Sequence, residues 1–182
     1  MFPRRTAALA ASLLLLTLGL GCYETKTPFG SAASATVDRA FVGDFTMPDK
    51  DKTDSVVILN LDDKQYFVEY SESGQDGKEP RNAKEPLRMV GYTADVNGVT
   101  FANLRGLKDD GSIDDKFMVM RVSLSPDHAK LSIRNLKDDF FKDKDVSSSE
   151  ALEKVIEANL DNEKMYDGEA AVFTRAAPTT QP

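Results

Sequence analysis

The chain has 182 residues, 41% of them apolar and 29% charged, with 23 Lys plus Arg against 30 Asp plus Glu and a net charge of −7. That length suits one domain with a packed core, and the composition argues against a disordered or low-complexity protein. The acidic balance argues against a nucleic-acid binder, which needs basic surface to offset phosphate charge.

Met1–Arg5 carries two positive charges, Thr6–Leu20 is apolar, and the small residues Gly19 and Gly21 precede Cys22. This is the pattern of a secretory signal peptide. A spanning helix needs about 20 apolar residues, whereas the whole stretch Thr6–Gly21 is 16 residues long. Glycine at the exit also suits an extended segment in a protease cleft better than a persistent helix. Cleavage, not a permanent span, is the expectation for residues 1–21. Cys22 is the sole cysteine, so an exported chain could form no internal disulfide and would carry a free thiol. With its neighbours Gly19, Leu20 and Gly21, Cys22 resembles the lipobox of bacterial lipoproteins, although Gly19 stands where leucine is usual. The resemblance implies cutting before Cys22, a diacylglycerol thioether bearing acyl chains such as palmitate, and an exported protein anchored by lipid to a cell-envelope membrane.

Residues 22–40 read as the lipidated N-terminus and a flexible tether, because ETKTPFGSAASAT has little apolar periodicity. Residues 41–175 read as a single β-rich domain, and 176–182 (AAPTTQP) as a disordered tail. Within the domain, strands are predicted at 41–47, 55–61, 65–70, 87–96, 99–104, 117–124, 129–136 and 170–175. Asn97–Gly98 is the strongest turn signal, since both residues accept the positive φ of a type I′ hairpin. SPDH at 125–128 makes another turn. Ser147 and Glu150 form a capping box, and Leu152, Val155, Ile156 and Leu160 share one face of a C-terminal amphipathic helix.

Consecutive hairpins predict a mainly β fold, an antiparallel meander of about eight strands. Met118, Met120, Val122 and Leu124 share one face of their strand, while Phe117 and Val119 are apolar on the other. Burial on one face and partial cover on the other predict a small barrel or curved sheet with the helix laid against it. Tyr66, Val68, Tyr70, Val90 and Tyr92 are the candidate lining of any cavity. FVGDF faintly resembles the opening of lipocalin-type barrels, with Gly43 and Phe45 in the glycine and aromatic places. The resemblance implies a barrel in which Arg175 packs over the Phe45 ring.

Little in the sequence points to catalysis. His128 sits in a turn, and the pairs Asp62–Asp63, Asp109–Asp110, Asp114–Asp115 and Asp138–Asp139 read as charged strand ends that keep sheet edges unpaired. The oxygen-rich stretches 49–54 and 108–115 do not fit the EF-hand spacing. No cofactor or metal site is predicted. Two functional readings follow: a non-catalytic structural or interaction module of the envelope holding a protein partner, or a barrel binding a small apolar ligand or lipid. A cavity of several hundred Å³, the size that ligands need, would favour the second, and a filled core the first.

Overall fold

The computed structural model of the chain describes residues 23–74 and 85–177. The leader, Cys22 and residues 178–182 of the expected tail lie outside the described residues. The strands are β1 (Glu24–Thr25), β2 (Gly43–Pro48), β3 (Lys52–Asn60), β4 (Tyr66–Gly74), β5 (Leu87–Val96), β6 (Val99–Gly106), β7 (Phe117–Leu124), β8 (Lys130–Asn135) and β9 (Ala171–Arg175). From β2 to β9 each strand pairs antiparallel with the next, and β9 returns to β2. The result is a closed eight-stranded up-and-down barrel, with β1 added outside along β7. Closure removes the exposed edges that would otherwise invite aggregation.

Asn97 (φ 50°) and Gly98 (φ 78°) make the expected tight turn between β5 and β6. Successive turns alternate between the two ends of the barrel. Residues 61–65, 97–98 and 125–129 lie at one end, called the Arg175 end. Residues 49–51 and 107–116, and the excursion from β8 to β9 that holds the helices, leave from the other, called the Asp54 end.

The inner core is built from alternate residues: Phe45 on β2, Val56 and Ile58 on β3, Leu104 on β6, Met120 and Val122 on β7, Leu131 on β8 and Phe173 on β9. Phe41, in a short 3-10 turn (Arg39–Phe41), closes the Arg175 end. There the Arg175 guanidinium lies 4.4 Å from the Phe45 ring centroid. It also donates hydrogen bonds to the carbonyls of Ala40 (2.6 Å), Val42 (2.7 Å) and His128 (2.9 Å). Gly43 has φ 145°, which side-chain-bearing residues rarely adopt, and a Cβ there would sit 2.2 Å from Arg175 Nη1 and push the guanidinium aside. One arginine thus ties the first barrel strand to the last, in the arrangement that the FVGDF resemblance implies.

A second core lies outside the barrel. Val96, Phe101 and Val119 point outward from β5, β6 and β7 and are covered by Leu136, Phe141, Leu152, Ile156, Met165 and Tyr166. These belong to the excursion between β8 and β9, which contains α1 (Asp138–Phe141) and α2 (Ser149–Glu157). Helix α2 presents Leu152 and Ile156 inward with Val155 partly covered, but it ends at Glu157, so Leu160, expected on the same helical face, lies in the turn beyond it. Its N-cap corrects the expected capping box by one residue. Ser148 accepts from Ala151 N (3.2 Å), Ser147 donates to Asp145 (2.6 Å), and Glu150 pairs with Lys154 (2.7 Å). Three consecutive serines leave the cap to be decided by packing, and the register that buries Leu152 and Ile156 wins.

The tether expected over 22–40 is also corrected, since residues 23–40 form a strap bound to the barrel wall. Tyr23 and Phe29 are 3% and 1% exposed, and the Tyr23 ring stacks on Phe141 at 4.1 Å. Tyr23 N donates to Leu136 O, and Phe29 N donates to the buried Asn103 side chain (2.8 Å). Farther on, Val37 N donates to Asp63 O, Lys64 to Ala33 O, and Asp38 exchanges hydrogen bonds with the Tyr66 hydroxyl. Two aromatics placed where the outer face needs cover outweigh the low-complexity composition around them. Replacing Phe29 with alanine is expected to cost about 3 kcal/mol, the usual loss for a buried phenylalanine, read as a lower urea midpoint. An unchanged midpoint would mean that the segment rides free.

Candidate functional site

Three places could carry function: the barrel interior, the polar Asp54 end, and the wall beneath the strap. The interior is nearly full. It holds a cavity of about 50 Å³ bounded by Phe41, Val56, Ile58, Val68, Leu104, Met120 and their neighbours. Ligand pockets run to about 300 Å³ and more, so this space is a packing defect at the scale of a water molecule or two.

Of the candidate lining residues, Tyr66 and Val68 point inward and Tyr70 packs partly against the inner core. Tyr92 also borders the interior cavity and Val90 does not, but neither side chain follows the inward alternation of β5, which corrects the expected lining. They share a face with Arg105 and Asn103, their partners across β5 and β6, and look outward, and the Tyr92 hydroxyl donates to Phe29 O under the strap (3.4 Å). The stretch MVGY is apolar on both faces, so alternation alone does not reveal which side is inside.

The Asp54 end is closed by charge. Asp54 follows the inward parity of Val56 and Ile58 and is 2% exposed. Lys52 Nζ sits 3.1 Å from the Asp54 carboxylate and 3.4 Å from that of Glu72, and the Tyr70 hydroxyl donates to Glu72 (3.1 Å). Burial pushes the Tyr70 phenol well above its ordinary value, and the charges of Asp54 and Glu72 push the same way. Burial pulls the Lys52 ammonium down, but the hydrogen bonds and charges of Asp54 and Glu72 more than offset this and hold it up. A lysine shared by two carboxylates beneath a neutral tyrosine is a structural plug, in which one cation is set against two anions and both depend on it. Asp54 is thereby turned into the barrel, away from the exposed residues of the 49–54 stretch.

The other sequence candidates are surface features. His128 is exposed and has φ 56°; its backbone N–H donates to Ser125 O (2.8 Å) and its carbonyl accepts from Arg175. In the 108–115 stretch, Asp114 pairs with Lys108 (2.9 Å), Asp115 with Lys26 (3.2 Å), and Asp110 accepts from Ser112 N (2.9 Å). Hydrogen bonding from Ser112 holds the Asp110 carboxyl below its usual range, and Lys26 does the same for Asp115. Among the described residues no group of three His, Cys, Asp or Glu is placed to hold a metal ion, and no helix is long and apolar enough to cross a membrane.

The wall beneath the strap holds a far larger concavity, an open groove of about 860 Å³. Its floor is Val90, Tyr92 and Ala94 on β5, with Arg105 and Phe117 beside them. One side is the strap from Pro28 to Thr36, and the other is the start of α2 with Glu150 and Glu153. Arg105 lies over the Phe117 ring, 4.9 Å from its centroid. The sequence did not signal this groove, because it forms between an apparently featureless segment and a helix far away in the chain. The chain matches no family model, no curated protein and no solved structure.

Two outcomes test the polar plug. Lys52→Met should cost about 2–3 kcal/mol, because it leaves Asp54 buried without its cation. Adding Asp54→Asn should recover part of that loss, and simple additivity would deny the coupling. Separately, the raised Lys52 and Tyr70, together with Tyr23, Tyr66 and Tyr92, also raised by burial, hold protons in the folded state that the unfolded chain releases. Their stabilisation is therefore complete below the ordinary values and is lost as pH rises. Denaturant midpoints should hold steady to about pH 9 and fall above about pH 10, in step with tyrosinate absorbance.

Proposed function

We propose that this protein is an exported cell-envelope lipoprotein, anchored through Cys22, whose barrel is a non-catalytic interaction module. The observation that carries the second half is the contrast between the two concavities. The barrel interior offers about 50 Å³, while the outer wall offers an open groove of about 860 Å³. A closed barrel that stores an apolar ligand needs its volume inside. A segment of another protein can instead use an open groove with an apolar floor and hydrogen-bonding rims, where backbone and side chains share the recognition. Glu150 is already paired with Lys154, but Glu153 and Asp95 leave acidic groups along the groove beside Arg105, so a partner segment that offers a basic residue to Glu153 fits it best. The anchoring half rests on the signal-like leader and its single cysteine.

Each half has its own test. Cys22→Ser should move the protein from the membrane fraction to the soluble fraction and leave the leader uncut at that position; retention in the membrane with the leader intact would mean that the apolar run is itself the anchor. The body purified from its own cells should carry a protein partner in native mass spectrometry, and Glu153→Arg should weaken that association about tenfold or more. A bound lipid, unaffected by Glu153→Arg, would overturn the interaction reading in favour of a ligand-binding barrel.

A further inference from the structure

We infer that the groove takes an acidic side chain of its partner on Arg105, and that the partner segment reaches it along a lane of apolar side chains crossing the outer wall from β3 to β7. This rests on the reading of the groove as a partner site and adds the chemistry that the partner must bring to its floor. The strand register lays the lane out. Leu59 on β3 pairs with Phe67 on β4, Phe67 with Val90 on β5, and Val90 with Arg105 on β6. All four follow the outward alternation of their strands, and Phe117 on β7 ends the row beneath the Arg105 guanidinium (4.9 Å). The strap covers the next row toward the Arg175 end, through Tyr92 and Asn103. On the Asp54 side the neighbouring row is closed by the ion pair of Glu69 with Arg88 (3.1 Å). Between these two rows the chain's own cover stops, since Leu59 is 48% exposed and Phe67 is only partly buried.

Arg105 is set apart from the cations around it. The chain has 30 acidic side chains against 23 basic ones, so a cation here has no shortage of potential partners. Its neighbours have taken theirs: Arg88 pairs with Glu69, Lys108 with Asp114 (2.9 Å), Lys116 with Glu24 (3.1 Å) and Lys26 with Asp115 (3.2 Å). Arg105 has no carboxylate partner among the described residues, and its close contact is the Phe117 ring. Lying over an aromatic face fixes the plane of the guanidinium and leaves its N–H edge open. That edge fits a carboxylate through two parallel hydrogen bonds, which fix position as well as adding attraction. The lane gives the spacing. Neighbouring strands are about 4.8 Å apart, so three steps place Leu59 about 14 Å from Arg105. An extended segment covers about the same distance from residue i to i+4, with the side chains of i, i+2 and i+4 on one face. Apolar residues at i and i+2 then lie over Leu59, Phe67 and Val90, and Asp or Glu at i+4 meets Arg105.

The probe is the blocked pentapeptide acetyl-Leu-Ser-Val-Ser-Glu-amide, with its glutamine counterpart as control. Each is added at low salt to the full chain in phosphatidylcholine nanodiscs, and binding is followed by ligand-detected NMR, which reads affinities in the millimolar range. The glutamate peptide should bind severalfold more tightly than the glutamine peptide, and Arg105→Gln should remove that difference. Arg105→Lys should restore part of it, because lysine keeps the charge without the paired hydrogen bonds. Leu59→Ser should weaken both peptides alike. Equal binding of the two peptides to the natural chain, or no binding of the glutamate peptide at millimolar concentration, overturns the assignment, and this comparison decides even where a variant does not fold. A protein partner held in native mass spectrometry as firmly by Arg105→Gln as by the natural chain also overturns it, while leaving the groove a partner site. A body that carries a lipid and no protein overturns that wider reading instead.

Discussion

The outer face of β5, β6 and β7 carries Val96, Phe101 and Val119, and the need to cover them organises everything outside the barrel. A small closed barrel satisfies its inward side chains by itself. It does nothing for Phe101, Val119 and Val96, which would otherwise lie in water. The chain spends its longest excursion, between β8 and β9, and its N-terminal strap covering them. Tyr23 and Phe29 complete a core to which α1, α2 and the segment around Tyr166 contribute the rest. The helix and the strap are thus two parts of one cover. The open groove is the seam where these two parts do not meet.

The ends of the barrel are finished by different chemistry. At one end Arg175 collects three backbone carbonyls and stacks on Phe45, so a long cation joins the first and last strands without exposing a seam. At the other, Lys52 holds Asp54 and Glu72 together beneath Tyr70. Buried charge of this kind is weak as a source of stability but costly to disturb. Between the two clusters the interior holds a cavity of about 50 Å³.

The sequence made the barrel legible because strands with one buried face announce themselves by alternation and by turn chemistry. The Asn97–Gly98 hairpin, the strands at 87–96 and 117–124, and the Met118 to Leu124 inner face appear in the structure as read. Even the approach of Arg175 to Phe45 was visible as a pattern. Where both faces of a strand are apolar, alternation loses its meaning, and so Val90 and Tyr92 were placed on the wrong side. The strap was missed for a different reason. Its order comes from two aromatics and one asparagine 74 residues away in sequence, and no local property of ETKTPFGSAASAT encodes such a contact. The groove, formed between strap and helix, was invisible for the same reason.

Covering the outer face also decides how the body meets whatever holds its N-terminus. A strap that is part of a hydrophobic core cannot lengthen or swing without exposing Phe29 and Tyr23, so its conformational freedom is coupled to the folding of the second core. The groove begins near Phe117 and Arg105, beside the strand start where the strap attaches, and extends along the wall toward Asp95. A partner docking there would approach from the side of the barrel, at a height set by the strap. The segment that resembles a spacer in composition is, in the folded molecule, the element that removes the space.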